Sequence, residues 1–405
     1  MTGAFLKDIR VLDFGQFIAG PYCANLLGAL GADVIRVERF AGASDRTLLG
    51  FDDDETKDGA LYSCVNTNKR SLALDLLAEN SREITDKLLL RADIIVANMP
   101  GAILKMIGID QDRLNKIGCD AILVTCSAFG GEGEQKEKLG FDGLGQALSG
   151  AMHMTGDNGD PRKAYVHYVD FFTAAMSAVG AVVALREREM GGLAHHVETS
   201  LLGSALAMMN GTLAEEAVRN VNRIGSGNLA QAAAPANVYA TKDGNILLQI
   251  IGFSMFKRWA KLVGKPEWIT DARCATDIKR AEHPEVEAEA KNWFAQYTNE
   301  EALAKLADYK LSAGPICSPR ETLQHSDVLN GDFMAPGLDP SGEYNIPIAR
   351  SPVKFSGVHL VESPQSPKLG GQTAEILQEL DFDGDDIRRF ADNGLIQMPG
   401  ELAHA

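Results

Sequence analysis

Short apolar stretches alternate with segments of helical spacing through the first 130 residues of the chain. We expect strands at residues 9–15, 32–38, 71–76, 92–99 and 121–129, with a sixth candidate at 194–200, and helices between them at 21–31, 79–92 and 110–118. Because these strands are apolar almost throughout, they are typical of a parallel sheet that is covered by helices on both faces. The alternation predicts an α/β fold with a large, Rossmann-like parallel-sheet domain.

The composition of the chain changes after about residue 220. A Gly- and Ala-rich loop is followed by a strand, by helices expected near 254–263, 285–297 and 299–308, and by a Pro-rich span; a helix is expected again over 371–393. A chain of 405 residues is also too long for one ordinary core. We predict that residues 1–215 form the N-terminal part of the large domain, that 225–325 form a smaller α+β domain, and that 330–405 complete the large domain.

One carboxylate, Asp170, stands at the start of the most apolar helical stretch, HYVDFFTAAMSAVGAVVAL (residues 167–185). Asp is a favoured N-cap, because its side chain accepts hydrogen bonds from backbone amides at the start of a helix. Alternatively, the helix N-terminus and the apolar surroundings hold an ionised carboxylate ready for nucleophilic attack. The residues alone favour the capping role, and both roles remain open at this point.

Four cations lie near the loops of the predicted α/β domain: Arg39, Lys69, Arg70 and Lys105. Each one alone is most simply a solvated charge, but together they make an anionic ligand an equally good interpretation. The first βα turn, FGQFIAGP, has no G-x-G-x-x-G fingerprint, and the chain has neither a G-x-x-x-x-G-K-[ST] loop nor a G-x-S-x-G elbow. Use of a nicotinamide dinucleotide is therefore unsupported.

Several classes of protein are disfavoured by composition and spacing. A net charge of −16 argues against binding to nucleic acid. His195 and His196 would face opposite sides of a strand, so no metal site is expected. Six cysteines without a C-x-x-C pair indicate reduced thiols and a cytoplasmic protein. The 15 uncharged residues that end at Leu185 are fewer than the ~20 that a membrane span needs.

Successive blocks of the sequence resemble the class III CoA-transferases (CaiB/BaiF type), the family of the carnitine, formyl-CoA and bile-acid CoA-transferases. The resemblance covers essentially the whole chain, and it is carried by these blocks in order: VLDFGQFIAGPYCANLLGALGADVIRVE, NTNKRSLALDL, ADIIVANMPG, CSAFGGEG, GFDGLGQALSGAMHMTG, HYVDFFTAAMSAVGAVVAL, HHVETSLLGSALAMM, AGPICSP and PKLGGQTAEILQELDFDGDDIRRFADNGLI.

The resemblance assigns roles to particular residues, with CoA or an acyl-CoA as substrate and no tightly bound cofactor. Asp170 falls on the family's catalytic aspartate. The positions that contact CoA or line the adjoining turn are Gln16, Phe17, Ile18, Arg39, Lys69, Arg70, Asn98, Met99 and Lys105. The match at Lys105 is weaker, because NMPG is one residue shorter than the usual N-F-x-P-G. Asp142 falls beside the reacting centre, and capping of its own helix is an equally good reading of that residue.

The implied reaction moves CoA from an acyl-CoA, such as succinyl-CoA, to a small carboxylic acid through an aspartyl anhydride and an aspartyl-CoA thioester on Asp170. Backbone amides at the helix start are expected to stabilise the oxyanions. The family also forms interlocked homodimers, and we expect one here. An α-methylacyl-CoA racemase is the alternative enzyme, but it needs a His where this chain has Phe141. A non-catalytic CoA-binding protein is the alternative of a different class.

Overall fold

The computed structural model describes residues 4–192, 195–361 and 363–398. The remaining residues include the first residue of the strand expected at 194–200 and the outer ends of the domain segments expected at 1–215 and 330–405. Those parts of the predictions lie outside the described residues.

Twelve strands occur in the described part of the chain. They are β1 (Arg10–Asp13), β2 (Asp33–Glu38), β3 (Lys69–Leu74), β4 (Ile94–Ala97), β5 (Ile122–Ser127), β6 (His196–Ser200), β7 (Ala236–Ala240), β8 (Asn245–Gln249), β9 (Ala313–Pro315), β10 (Met334–Leu338), β11 (Asn345–Ala349) and β12 (Ile396–Gln397).

Seventeen α-helices accompany these strands in the same described residues, together with 3₁₀ turns at Glu79–Ser81, Pro266–Ile269 and Ala272–Cys274. The helices are α1 (Ala19–Ala29), α2 (Ala60–Val65), α3 (Arg82–Leu90), α4 (Gly101–Ile107), α5 (Gln111–Ile117), α6 (Asp142–Leu148), α7 (Ala151–Thr155), α8 (Tyr168–Glu189), α9 (Leu201–Arg219), α10 (Phe253–Leu262), α11 (Asp277–Ala281), α12 (Pro284–Phe294), α13 (Asn299–Asp308), α14 (Pro319–Thr322), α15 (Ser326–Asn330), α16 (Thr373–Glu379) and α17 (Gly384–Asp392).

Seven strands form the main sheet, in the order β12-β3-β2-β1-β4-β5-β6. Every neighbouring pair is parallel except β12 and β3, which are antiparallel. The six strands expected from the sequence are these six parallel strands, so the prediction of a large parallel-sheet α/β domain is confirmed. The single tail helix expected over 371–393 is instead two helices, because Asp381, with φ of 60°, ends the first of them.

The two faces of the main sheet carry separate cores because successive strand residues point to opposite sides. On one face, Leu12 of β1 packs in a cluster with residues of α3, α5, α16 and α17. On the other face, Val11 packs in a cluster that contains Leu27 of α1 and Ala178, Ala181 and Ala184 of α8. Both faces of the sheet are therefore covered by helices.

Small residues let α8 approach the sheet closely. A Cβ added at Gly180 would lie 2.5 Å from Cγ1 of Val197 on β6. Overpacking of this kind costs about 1–3 kcal/mol.

Among the described helices, α8 is the one long and apolar enough to cross a membrane, by length and composition only. It has 22 residues, whereas its uncharged run has 15. Half of its most apolar window is buried, which is typical of a core helix.

The chain divides into two compact units. The first comprises Met1–Ala151, Ala164–Arg219 and Asn330–Ala405; the second comprises Met152–Lys163 and Asn220–Leu329. The second unit holds a three-stranded antiparallel sheet, β7-β8-β9, over an aromatic core that includes Trp259 and Phe294.

Residues 152–163 belong to the second unit, although the sequence analysis assigned them to the large domain. Asn158 N donates to the carbonyl of Gly225 at 3.0 Å, and Gly227 N donates to the carbonyl of Gly156 at 2.9 Å. These hydrogen bonds join the segment to a stretch about 70 residues later in the chain, a pairing that no local pattern in the sequence indicates.

Candidate active site

A cavity of about 290 Å³ lies at the carboxyl ends of the central parallel strands. Between β1 and β4 the strand order reverses, and open α/β sheets bind ligands at such a point. The cavity is lined by residues that follow β1, β4 and β5, by the loop before α6, and by the first turns of α8 and α9: Gln16, Phe17, Ile18, Ala19, Asn98, Met99, Pro100, Ile103, Cys126, Ser127, Ala128, Leu139, Gly140, Phe141, Asp170 and Leu201.

The turn after β1 is held from both sides by side chains of the same unit. Asn98 Oδ1 accepts from Gln16 N at 2.7 Å, and Asn98 Nδ2 donates to the Gln16 carbonyl at 2.6 Å. Phe17 has φ of 61°, a left-handed conformation that costs a bulky residue about 1–3 kcal/mol, and its N–H donates to Asp45 Oδ2 at 2.9 Å. The turn therefore presents the Phe17 ring to the cavity, where it meets Phe141 edge to face at 5.3 Å.

Beneath this turn lies a buried network of charges that the sequence analysis missed. Arg36 donates to both carboxylate oxygens of Asp45 at 3.0 Å and lies 3.6 Å from carboxylate oxygens of Asp13 and Glu38. These side chains are at most 1% exposed. Because Asp45 also accepts from Phe17 N, the network connects the interior of the sheet to the wall of the cavity. Its signal in the sequence is an Arg inside the apolar strand VIRVE.

Lys69 belongs to this network and lines no cavity found among the described residues, and its expected position near the CoA phosphates stays a prediction. Its ammonium donates at 2.7 Å each to Asp13 Oδ2, the Pro21 carbonyl and Asn66 Oδ1. Burial lowers the pKa of Lys69 to about 8, although Asp13 acts in the opposite direction. Lys69 is the first residue of β3, and its side chain is 0% exposed.

Arg70 and Lys105 also lie away from the cavity. Arg70 forms ion pairs at 2.7 Å with Asp33 and with Glu379, which ties β3 to α16. Lys105 is exposed on α4 and lines no cavity found among the described residues. Neither side chain lines a cavity found among the described residues, and their expected contacts with CoA stay a prediction.

Arg39 does lie next to the candidate site. It lines a second cavity of about 270 Å³, whose walls include Gln16, Met99 and Ile103 of the first cavity. Its guanidinium donates to the Gly42 carbonyl and, at 3.0 Å, to Ser44 Oγ. The two adjoining cavities bring Arg39 and Met99 to the same end of the sheet.

Asp170 is not the cap of its helix. It is the third residue of α8, and the N-cap residue, His167, makes no side-chain capping bond. Asp142 Oδ2 instead accepts from the backbone amides of Val169 at 2.8 Å and Asp170 at 3.3 Å. Asp142 thus caps a helix, but it caps α8 and not its own helix α6. Its other oxygen accepts from Gln146 Nε2.

This capping also bears on the expected oxyanion donors. In this structure the amides of Val169 and Asp170, at the start of α8, donate to Asp142. Cys126 is a further residue of the wall: it is 3% exposed, and its Sγ lies 3.1 Å from Ser177 Oγ. Burial raises the pKa of this thiol, which favours the unreactive protonated form.

The Asp170 carboxylate is largely buried and accepts no hydrogen bond from the described residues. Its side chain is in the cavity wall, the residue is 8% exposed, and no hydrogen bond among the described residues ends on its oxygens. Burial, and secondly the charge of Asp142, raise the pKa of Asp170 to about 7. At neutral pH the carboxylate is thus partly ionised and destabilised, the condition in which a carboxylate is a strong nucleophile or base.

Comparisons of the sequence with known proteins all indicate the same family. Residues 6–373 match the sequence model described as CoA-transferase family III. A succinyl-CoA–D-citramalate CoA-transferase of Chloroflexus aurantiacus is 30% identical over 93% of this chain and 94% of its own length. A succinyl-CoA:mesaconate CoA-transferase of Haloarcula hispanica is 29% identical over 92% of this chain and 96% of its own length.

The fold leads to the same group of proteins. The crystal structure of a CAIB/BAIF family protein from Brucella suis superposes with a TM-score of 0.80 and is 27% identical. The match covers 93% of this chain and 99% of that chain.

Proposed function

The chain belongs to CoA-transferase family III and is a CoA-transferase, and from this premise we propose that Asp170 is the nucleophile that carries the acyl group and then CoA. The observation behind the proposal is the environment of its carboxylate: buried, without a hydrogen-bond donor among the described residues, and open to a cavity at the carboxyl ends of the sheet. A residue that served only as a cap would have amides on its oxygens, and those amides donate to Asp142.

The proposed reaction begins with attack of an Asp170 oxygen on the thioester carbonyl of the donor. The C–S bond breaks, CoA leaves as a thiolate with the electron pair, and a mixed anhydride remains on Asp170. The thiolate then attacks the aspartyl carbonyl and expels the donor's carboxylate, which leaves an aspartyl-CoA thioester. The acceptor carboxylate reverses these two steps, so the cycle needs no net proton and no other reactant.

The neighbouring residues position the substrates in this scheme. Gln16, Phe17 and Ile18 form the wall opposite Asp170, with the turn held by Asn98. Arg39 and Met99 of the adjoining cavity contact the nucleotide part of CoA. The edge-to-face pair of Phe17 and Phe141 gives the cavity that holds the anhydride an apolar wall. Phe141 cannot exchange a proton, which disfavours the racemase alternative.

We assign succinyl-CoA as the donor and a small mono- or dicarboxylate as the acceptor. Support comes from the names of three relatives, which pair succinyl-CoA or succinate with mesaconate, D-citramalate or glutarate. The six cysteines are all free thiols, which supports a cytoplasmic location.

The experiment that tests the nucleophile is trapping of the covalent intermediate. Incubation with succinyl-CoA alone should place CoA on the peptide that contains Asp170, as detected by mass spectrometry. Hydroxylamine should convert the adduct to a hydroxamate, and borohydride should inactivate the enzyme only when the donor is present. The variant Cys126→Ser should form the same adduct; an adduct on Cys126, or none on Asp170, would refute the assignment.

The rate of transfer should depend on pH through Asp170. Its carboxylate is the reactive form, so kcat/KM for succinyl-CoA should be constant above the pKa of about 7 and fall about tenfold per pH unit below it. The measurement is a pH profile from 5 to 9 at saturating acceptor. A rate that stays constant down to pH 5 would show that the nucleophile has an ordinary carboxyl pKa.

We also propose that the protein forms a homodimer, interlocked as in its family. The outer faces of α8 and α9 expose apolar side chains that suit an interface: Val179, Val182, Val183, Leu206, Met208 and Leu213. Analytical ultracentrifugation should give about twice the chain mass of 43.5 kDa at every concentration. A monomer that appears on dilution would contradict interlocking, because threaded chains separate only on unfolding.

A further inference from the structure

Three side chains with metal-binding chemistry lie together in the second unit. They are Asp271, Cys274 and His283, and one carboxylate oxygen, the thiol sulfur and one imidazole nitrogen all lie within 4.8 Å of one another. They come from a short stretch of chain, with spacings D-x₂-C and C-x₈-H. A proposal for this cluster needs more than proximity, because acidic and thiol groups often meet by chance.

The local structure positions each of the three side chains. Asp271 starts the 3₁₀ turn Ala272–Cys274, and its Oδ1 accepts from the Arg273 amide at 2.8 Å. Cys274 ends that turn. His283 is the residue before α12, and its own N–H donates to the Arg280 carbonyl at 3.0 Å. The backbone at all three positions is thus held by turns and helix ends.

The independent observation is a buried imidazole nitrogen without a partner. His283 is 6% exposed, and its Nε2 makes no hydrogen bond among the described residues. The thiol of Cys274, on a residue that is 0% exposed, likewise has no hydrogen-bond partner there. Buried polar atoms nearly always find a partner, so an orphaned nitrogen on an imidazole that lies beside a thiol and a carboxylate calls for one.

We propose that Asp271, Cys274 and His283 bind a zinc ion. Zinc takes thiolate, imidazole and carboxylate ligands in tetrahedral geometry, whereas magnesium and calcium prefer oxygen alone. Glu285 supplies the fourth ligand: its Oε2 lies 3.9 Å from His283 Nε2, and its side chain is 69% exposed and free to turn inward. Binding replaces the Cys274 S–H bond with a Zn–S bond and releases one proton to solvent.

The charges around the cluster suit this assignment. Three anionic ligands, Asp271, the Cys274 thiolate and Glu285, exceed the charge of the ion by one. Arg273 Nη2 lies 2.7 Å from Asp271 Oδ2, and Arg280 Nη1 donates to the Cys274 carbonyl at 2.9 Å. Arg273 balances the excess charge and orients Asp271, whereas Arg280, which also pairs with Asp277, fixes the backbone at Cys274. The bound ion would join the 3₁₀ turn to the start of α12.

The test uses the full-length protein after dialysis against a chelator, with Zn²⁺ and Co²⁺ as the probes. One Zn²⁺ per chain should bind, and Co²⁺ should give the near-ultraviolet absorption of a thiolate-cobalt bond. Excess Zn²⁺ should raise the melting temperature by a few degrees, because it binds only the folded state. Cys274→Ser and His283→Gln should each weaken Zn²⁺ binding at least tenfold, and Cys274→Ser should abolish the absorption.

Cys317→Ser is the matched control, because Cys317 is a half-buried free thiol of the same unit outside the cluster. It should bind Zn²⁺ and Co²⁺ like the unaltered chain. If no Zn²⁺ binds stoichiometrically, or if either cluster variant binds as well as the control, the proposal is overturned and the three residues are ordinary packing. Transfer activity plays no part in this test, so its outcome is independent of the role of Asp170.

Discussion

Replacing Asp170 by Asn should lower the rate of CoA transfer by roughly 10⁴-fold or more, the size of loss that follows removal of a catalytic nucleophile. An amide has the same shape as the carboxylate but cannot form the anhydride. The helix itself should be unaffected, because its capping bonds go to Asp142. The measurement is exchange of labelled succinate into succinyl-CoA, with CoA affinity determined in parallel.

Asp53→Asn is the matched control for this change. Asp53 is an exposed carboxylate of the same unit, and its replacement should leave both rate and stability within error. Asp170→Ala should reproduce the loss seen with Asn, which would show that the effect does not depend on the amide. If Asp170→Asn exchanged labelled succinate at the wild-type rate, Asp170 would not be the nucleophile and its role would be structural.

The Asp170→Asn variant should be more stable than the unaltered protein at alkaline pH. The pKa of Asp170 rises from 3.8 to about 7 on folding, so the folded state holds this proton between those values and stability falls as the pH rises through that window. Above pH 7 the ionised carboxylate costs up to about 4 kcal/mol, which Asn removes. The melting temperature of Asp170→Asn should exceed that of the unaltered chain at pH 8 and approach it at pH 4.

Replacing Arg36 by Met should destabilise the first unit by about 3–5 kcal/mol, the usual result of removing one partner from a buried ionic network. Met fills a similar volume, but Asp13, Glu38 and Asp45 lose a cation that lies within 3.6 Å of each. Asp45 loses most, because Lys69 remains beside Asp13. The measurement is the free energy of unfolding in denaturant.

Two further variants separate this effect from general damage. Arg91→Met removes an exposed guanidinium that pairs with Asp381, and it should cost no more than about 1 kcal/mol. Adding Asp45→Asn to Arg36→Met should recover part of the lost stability, because the unpaired charge is then gone. Full stability of Arg36→Met alone would mean that the network contributes little to the fold.

The strands were predictable from sequence because the signal is local. A buried parallel strand such as AILVTCS is apolar almost throughout, and its helical neighbours have a different period. Open α/β sheets bind ligands outside the carboxyl ends of their strands, so the predicted strands also indicate where the candidate cavity lies. Gln16, Asn98 and Asp170 were found in this way with the help of the family resemblance, and the structure places all three in one cavity wall.

The contacts that determine the chemistry of the candidate site join residues that lie far apart in the sequence. Asp142 lies 28 positions before Asp170, and nothing in the sequence indicates that it takes over the capping bonds. In the sequence, Lys69 has the pattern of a solvated loop cation. In the structure it begins β3, and its buried ammonium donates to Asp13. Arg36 is an exception to the apolar pattern, and its role depends on Asp13 of β1 and Asp45 of a later loop as well as on Glu38 of its own strand. Such pairings arise from tertiary packing, which no local sequence pattern determines.

The short strand β12 has a consequence for synthesis of the chain. Ile396 pairs with Leu74, so the outer edge of β3 lacks its neighbour until about 320 more residues have been made. At typical rates of 5–20 residues per second, that interval lasts roughly 15–65 s. During this time the nascent chain carries an open β-edge, which is a template for pairing with other chains. A stop codon shortly before residue 396 should therefore yield an aggregating product, although it removes none of the residues that line the candidate cavity.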